Sequence, residues 1–265
     1  IALFIFMRLG YARETYLGLT ASIFYLYNFV PKAKIIWSPE LSHTWSLAVE
    51  EQFYLFWALL LRYIKIYWVY LITITIIILS ILISYILPGV IVNYEGSVYS
   101  LEDLFFVKRW LIPAIAPILI GSLTAILNQK YIKSTSRIFK SNRSGLIALL
   151  FLMSPLYTPP FLIPIIRIIH GTGASLVVLW VFHNQNSRVV NLLEWRLFKY
   201  IGMISYGIYI WQGFFIRTSP LAEPKIWVHE YPYNIIFTFL FAVLSYEFYE
   251  KRISLFKKRF KIRSS

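Results

Sequence analysis

Residues 67–88 read YWVYLITITIIILSILISYILP, without a charged side chain from end to end. In water an isoleucine-rich run of this kind favours strand, because β-branched side chains fit a pleated surface. Length decides otherwise. About 20 apolar residues in a helix cover the roughly 30 Å hydrocarbon core of a bilayer, and a backbone in lipid must satisfy its own N–H and C=O groups. The run is therefore predicted to be a membrane-crossing helix. Comparable runs fall near 47–63, 109–128, 145–163, 165–185, 199–216 and 233–250, and residues 1–31 hold two shorter ones, 1–7 and 18–30, parted by Arg8, Arg13 and Glu14. No ten-residue alternation of the barrel type appears. The expected fold is all-α, a polytopic transmembrane helical bundle of about seven or eight spans, in one domain over residues 1–265.

Composition agrees. Hydrophobic residues make up 58% of the chain and charged residues 14%, where a soluble domain carries about 25% charged. A water-soluble fold of this length could not hide that much apolar surface. The net charge of +14 does not point to nucleic acid, because the lysines and arginines sit in short clusters between apolar runs rather than on one face of a folded domain. They read as topology signals. Arg62 and Lys65, then Lys130, Lys133, Arg137, Lys140 and Arg143, then Arg188, Arg196 and Lys199, then the tail KRISLFKKRFKIRSS fall on one side. Glu95, Glu102, Asp103, Glu223 and Glu230 fall on the other, with few basic residues there beyond Lys108, Arg109, Arg167, Arg217 and Lys225. The positive side is the cytoplasm, so the chain is expected in the cell membrane as a multi-pass protein with a cytoplasmic C-terminus and lipid around it. Cysteine is absent and the four histidines lie far apart, so no metal is expected.

The polar exceptions inside the apolar runs carry the functional reading. In SHTWSLAVEEQFYLFW, residues 42–57, Ser42 is a plausible N-cap. At 3.6 residues per turn His43, Ser46, Glu50, Tyr54 and Trp57 share a face, with Glu51 and Gln52 beside it. Two neighbouring carboxylates in lipid cost several kcal/mol and need an enclosed polar pocket, protonation or an arginine partner. One reading is a helix-locking ion pair; the other is the lining of a ligand or reaction site. Glu50, Glu51 and His43 are the catalytic candidates, with Ser46, Tyr54 and Trp57 lining a substrate. Arg109 pairs with Glu50 or Glu51, binds an anionic substrate, or snorkels to the interface. Pro113 and Pro117 should break the 109–128 helix and free carbonyls for a polar cavity, while Gly121, Ser122 and Ala125 offer a small-residue packing face. Arg167 and His170 read as surface residues. Tyr206, Tyr209, Trp211 and Gln212 cluster inside a span as packing and hydrogen-bonding groups or as ligand contacts; Tyr206, Trp211 and Gln212 complete the substrate-binding set. No GxGxxG, Walker sequence, HExxH or GxSxG occurs, which removes the soluble-enzyme classes those motifs serve.

Three stretches are similar to the membrane acyltransferase-3 family: HTWSLAVEEQFYLFWALLL at 43–61, FKYIGMISYGIYIWQGFF at 198–215 and LSYEFYEKRISLFKKR at 244–259. The resemblance implies O-acylation, the transfer of an acetyl or short acyl group from acetyl-CoA or another acyl-CoA to a hydroxyl of a cell-surface glycan or lipid-linked sugar. Two departures stand out. The family often has a histidine where Gln212 follows Trp211, and the interval from Arg109 to Gly121 is longer than the family's. The resemblance also implies two preceding helices that carry an arginine and a histidine for acyl transfer. Ile1 already lies inside an apolar run without a methionine before it, so a missing N-terminal segment is expected. A transporter or flippase of sugar or lipid substrates is the rival reading, since acidic residues beside proline-broken helices also describe a permeation route. A non-catalytic membrane scaffold is another.

Overall fold

The computed structural model describes residues 16–31, 38, 40–94, 97–156, 159, 162–216 and 227–253. Arg8, Arg13 and Glu14, the acids Glu95 and Glu223, and residues 254–265 of the basic tail lie outside them. In chain order the elements are α1 (Tyr16–Ile23), α2 (Thr44–Tyr63), α3 (Ile66–Ile86), a hairpin of β1 (Ile91–Tyr94) and β2 (Ser97–Ser100), α4 (Leu101–Phe105), α5 (Leu111–Ala114), α6 (Ala116–Lys130), α7 (Ile132–Phe139), α8 (Asn142–Leu152), α9 (Ile163–His183), α10 (Arg188–Leu193), α11 (Arg196–Phe215) and α12 (Tyr233–Ser245). A π-helical turn, Tyr246–Glu250, continues α12, and there Glu247 pairs with Lys251 at 2.8 Å.

The described residues are mainly helical, as expected, with one exception among them. The loop after α3 forms an antiparallel hairpin in which Ile91 faces Ser100 and Tyr94 faces Ser97. Outside the long apolar run, the β-formers of IVNY and SVYS satisfy their backbone groups by pairing with each other.

Two described helices are long and apolar enough to cross a membrane, Ile66–Gly89 and Ile165–His183. The other expected spans are charged, broken or shorter: α2 carries Glu50, Glu51 and Arg62, α6 has 15 residues and α8 has 11. The exterior is nonetheless one that lipid would suit. Leu55, Phe56, Ile78, Leu82, Leu150 and Val178 are exposed, whereas α3 buries Thr73, Ser80 and Ser84. A soluble protein arranges these the other way round.

The proline break has a definite compensation. Pro117 lacks the N–H that would bond the Pro113 carbonyl one turn earlier, and the helix parts there into α5 and α6. Ser80 and Ser84 of α3 donate to that orphaned carbonyl at 3.0 and 3.2 Å. The freed carbonyl expected to open a polar cavity is instead taken up by a neighbouring helix. Gly121 of the expected small-residue face does pack on α9, where a β-carbon would meet Ser175 Oγ at 3.7 Å.

α2 is the spine that positions the site, because each of its ends is held by a different cluster. Near its start, Trp45 packs on the buried group of Tyr27, Val30, Leu41, Phe214 and Phe215, which brings in the end of α11. Further along, Phe53 is buried with Ile115 and Leu119, and Trp57 packs on them. In lipid such interlocking replaces the hydrophobic drive available in water.

Candidate active site at the junction of α2 and α11

At the start of α2 the chain turns tightly, with the Thr44 N–H on the Leu41 carbonyl at 2.9 Å and the Thr44 hydroxyl on the same oxygen at 2.7 Å. This turn carries the His43 ring onto α11. Tyr209 of α11 donates its hydroxyl to the His43 carbonyl, and its oxygen then accepts from Ser46 Oγ at 2.5 Å. The His43 and Tyr209 rings meet edge to face, with centroids 5.2 Å apart. Gly213, one helical turn beyond Tyr209, makes the approach possible: a β-carbon there would overlap the imidazole and the Glu40 carbonyl. Both ring nitrogens of His43 are buried and neither makes a well-aligned hydrogen bond among the described residues, although the Glu40 and Ile210 carbonyls lie close enough to act on the ring.

Ser42 does not cap α2. Its hydroxyl accepts from Arg109 Nη1 at 3.1 Å, and the guanidinium lies over Phe106 at 4.1 Å and near Trp45 at 5.8 Å. Arg109 forms no ion pair with Glu50, Glu51 or any other acid among the described residues. Arg167, expected at the surface, is half-buried and donates to the Lys108 carbonyl at 3.4 Å.

The predicted stripe on α2 divides. Ser46 meets Tyr209, but Glu50, Glu51 and Tyr54 are exposed, and neither glutamate has an ion-pair or hydrogen-bond partner among the described residues. The enclosed pocket expected around them is not formed by those residues. They do flank the site: Glu50 lies within electrostatic reach of Tyr209, and Glu51 of Tyr206. Tyr206 itself is 50% exposed. Trp57 stacks on Phe53 at 5.3 Å, and Trp211 sits among Phe214, Phe215 and Phe241, so both are packing groups here. Gln212 is half-buried and makes no side-chain hydrogen bond among the described residues. Among the described residues no three histidine, aspartate or glutamate side chains gather as a metal ion would need.

The sequence profile of a family described as an acyltransferase domain matches residues 1–250. The chain belongs to this acyltransferase-3 family. A Bacillus subtilis protein named peptidoglycan O-acetyltransferase YrhL is 28% identical over 235 residues, covering 80% of this chain and 34% of that protein. The Staphylococcus aureus O-acetyltransferase OatA is 27% identical over 237 residues, covering 83% of this chain and 37% of that protein. The chain thus spans about a third of the length of these curated relatives. No solved structure matches it.

For this acyltransferase-3 chain the residue that sequence reasoning passes over is Gly213; it reads Tyr209 as a packing and hydrogen-bonding group without its partner, and Ser42 as a helix cap rather than as the acceptor for Arg109. A signal existed for Gly213 and for the contact of Tyr209. Tyr206, Tyr209 and Gly213 recur at helical spacing and share one face of α11, where two hydroxyls and a missing side chain mark a close neighbour.

Burial pushes the His43 imidazole down to about 4 from 6.5, and the Glu40 and Ile210 carbonyls offset this only in part. The folded value is the depressed one, so the full stability is present above the unfolded pKa, where neither state is charged. As pH falls from about 6.5 to about 4 the unfolded chain binds a proton that the folded chain refuses, and stability declines by about 3 kcal/mol. Unfolding midpoints of the wild type and His43→Gln should therefore diverge on acidification, the wild type losing more; parallel pH profiles would show that His43 is not buried.

Proposed function

We propose that this acyltransferase-3 chain belongs to a multi-pass protein of the cell membrane, with about seven or eight spans and a cytoplasmic C-terminus. Its reaction is transfer of an acetyl or similar short acyl group from an acyl-coenzyme A to a hydroxyl of a cell-surface glycan or lipid-linked sugar. The observation that carries the reading is the buried His43 ring, neither nitrogen of which makes a well-aligned hydrogen bond among the described residues, beside the linked hydroxyls of Ser46 and Tyr209. Acyl transfer needs a proton acceptor for the attacking hydroxyl and donors for the oxyanion that develops on the acyl carbonyl. His43 is neutral at physiological pH and relays that proton to the leaving group without holding it, because burial disfavours the charged ring. The hydroxyl oxygen bonds to the acyl carbon, the carbon–sulfur bond of the thioester breaks, and the proton ends on the departing thiolate. Ser46 and Tyr209, whose protons at rest bond the Tyr209 oxygen and the His43 carbonyl, turn toward the oxyanion to become its hydroxyl donors. Glu50 and Glu51 orient the acceptor along the same face, with Tyr54 and Tyr206 beside them. Lys133, Arg137 and Lys140, exposed on and next to α7, suit the phosphates of the donor.

The test uses the full-length protein in lipid, a radiolabelled acetyl donor and candidate polysaccharides. Labelled acceptor is expected from the wild type, with a loss of about 100-fold or more in His43→Gln and a smaller one in Glu50→Gln. Undiminished labelling in both variants would reject the site assignment. Movement of acceptor across the membrane without covalent label would favour a transporter.

A further inference from the structure

The side of the molecule that carries α4 and the start of α5 holds three half-buried cations, Lys108, Arg109 and Arg167. None is ion-paired among the described residues. The nearby acid, Glu102, points its Oε2 at the Lys108 backbone N–H at 3.0 Å instead of at a guanidinium, although it lies within electrostatic reach of both arginines. Each arginine spends one Nη1 donor on a neutral oxygen, Ser42 Oγ for Arg109 and the Lys108 carbonyl for Arg167. The remaining donors of both forks are unengaged among the described residues. Half-buried cations lose hydration, and one carboxylate that is bonded elsewhere only partly offsets two guanidinium groups, which is costly unless a ligand supplies further charge.

The local backbone is shaped around this group. Phe106 adopts φ 48 and ψ 48, a left-handed conformation that a bulky side chain enters only when its surroundings impose it. Its ring then lies 4.1 Å beneath the Arg109 guanidinium, which fixes the plane of the fork. Ser42, which holds Arg109, directly precedes His43.

We infer that Arg109 and Arg167 form a site for an oxyanion, a carboxylate or phosphate, carried by the acceptor glycan, so that the acceptor is an anionic sugar held by its charge beside His43. This rests on the acyl-transfer reading for the acceptor's identity, but the binding site can be tested without acyl transfer.

The probes are tetragalacturonic acid, its neutral methyl ester and a mannose tetrasaccharide 6-phosphate. Binding to the full-length protein in nanodiscs is measured by equilibrium dialysis without acyl donor. The wild type is expected to bind at least one anionic probe about tenfold or more tightly than the neutral ester. Arg109→Gln and Arg167→Gln should each reduce that preference several-fold, and the double variant should remove it, with ester binding unchanged. Preference for the carboxylate or for the phosphate identifies which oxyanion is used. Equal binding of all three probes by the wild type, or equal weakening of ester and anions in the variants, overturns the proposal. Acetylation of neutral and anionic acceptors at equal efficiency would sink the anion site while sparing the acyl-transfer reading. Charge-selective binding without any acetylation would do the reverse.

Discussion

Gly213→Ala is expected to reduce acetyl transfer about 100-fold and to lower the unfolding midpoint, even though alanine is the better helix former. Exchange of glycine for alanine inside a helix ordinarily stabilises by up to about 1 kcal/mol. Here the added methyl would overlap the His43 ring and the Glu40 carbonyl. The carbonyl cannot retreat far, because the Leu41–Thr44 turn that follows it is pinned by two hydrogen bonds. The ring must leave its seat, and overpacking of this kind costs about 1–3 kcal/mol, more than propensity returns. A displacement of about 1 Å at a proton-accepting group is enough for a hundredfold loss of rate. Gly202 provides the control within α11, since a β-carbon there meets nothing within 4 Å. Gly202→Ala should be neutral or slightly stabilising and fully active. His43→Ala added to Gly213→Ala should restore much of the stability and none of the activity. If Gly213→Ala transfers acetyl as well as Gly202→Ala does, the seating of His43 against α11 is not part of the mechanism.

Much of this was legible in the order of residues, and the rest required knowing what packs on what. The uncharged run at 67–88 predicted one long helix because length and lipid leave no other way to satisfy its backbone, and α3 spans Ile66–Ile86, part of a stretch long and apolar enough to cross a membrane. Pro117 announced an orphaned carbonyl at Pro113, but only the packing of α3 beside it shows that Ser80 and Ser84 take it up. Periodicity placed His43, Ser46, Glu50, Tyr54 and Trp57 on one face without saying what covers each level. The first two levels meet α11, Glu50 and Tyr54 are exposed, and Trp57 joins the Phe53 cluster. Ser46 and Tyr209 are 163 positions apart, a separation that no local pattern bridges. The same holds for Arg167, read as a surface residue, which reaches the Lys108 backbone across 59 positions.

Gly173→Ala should be the most damaging glycine-to-alanine exchange among the described residues, and it should act chiefly on stability. α8 and α9 cross so closely at this point that a β-carbon would overlap backbone atoms of Phe151 and Leu152. A clash with a side chain can be relieved by a change of rotamer, whereas one with main chain separates the helices. Small residues are placed at helix crossings in lipid because close backbone approach is itself the source of packing energy there. Forcing α8 and α9 apart is expected to cost about 3 kcal/mol, read as a lowered midpoint in a detergent unfolding titration against Gly202→Ala. The rate at saturating acceptor should change less than the stability, because His43, Ser46 and Tyr209 lie on other elements, whereas Arg167 shares α9 with Gly173. A Gly173→Ala protein as stable as Gly202→Ala would contradict the close crossing. One that folds normally but loses activity would show that the α8–α9 crossing sets the position of Arg167 at the acceptor site.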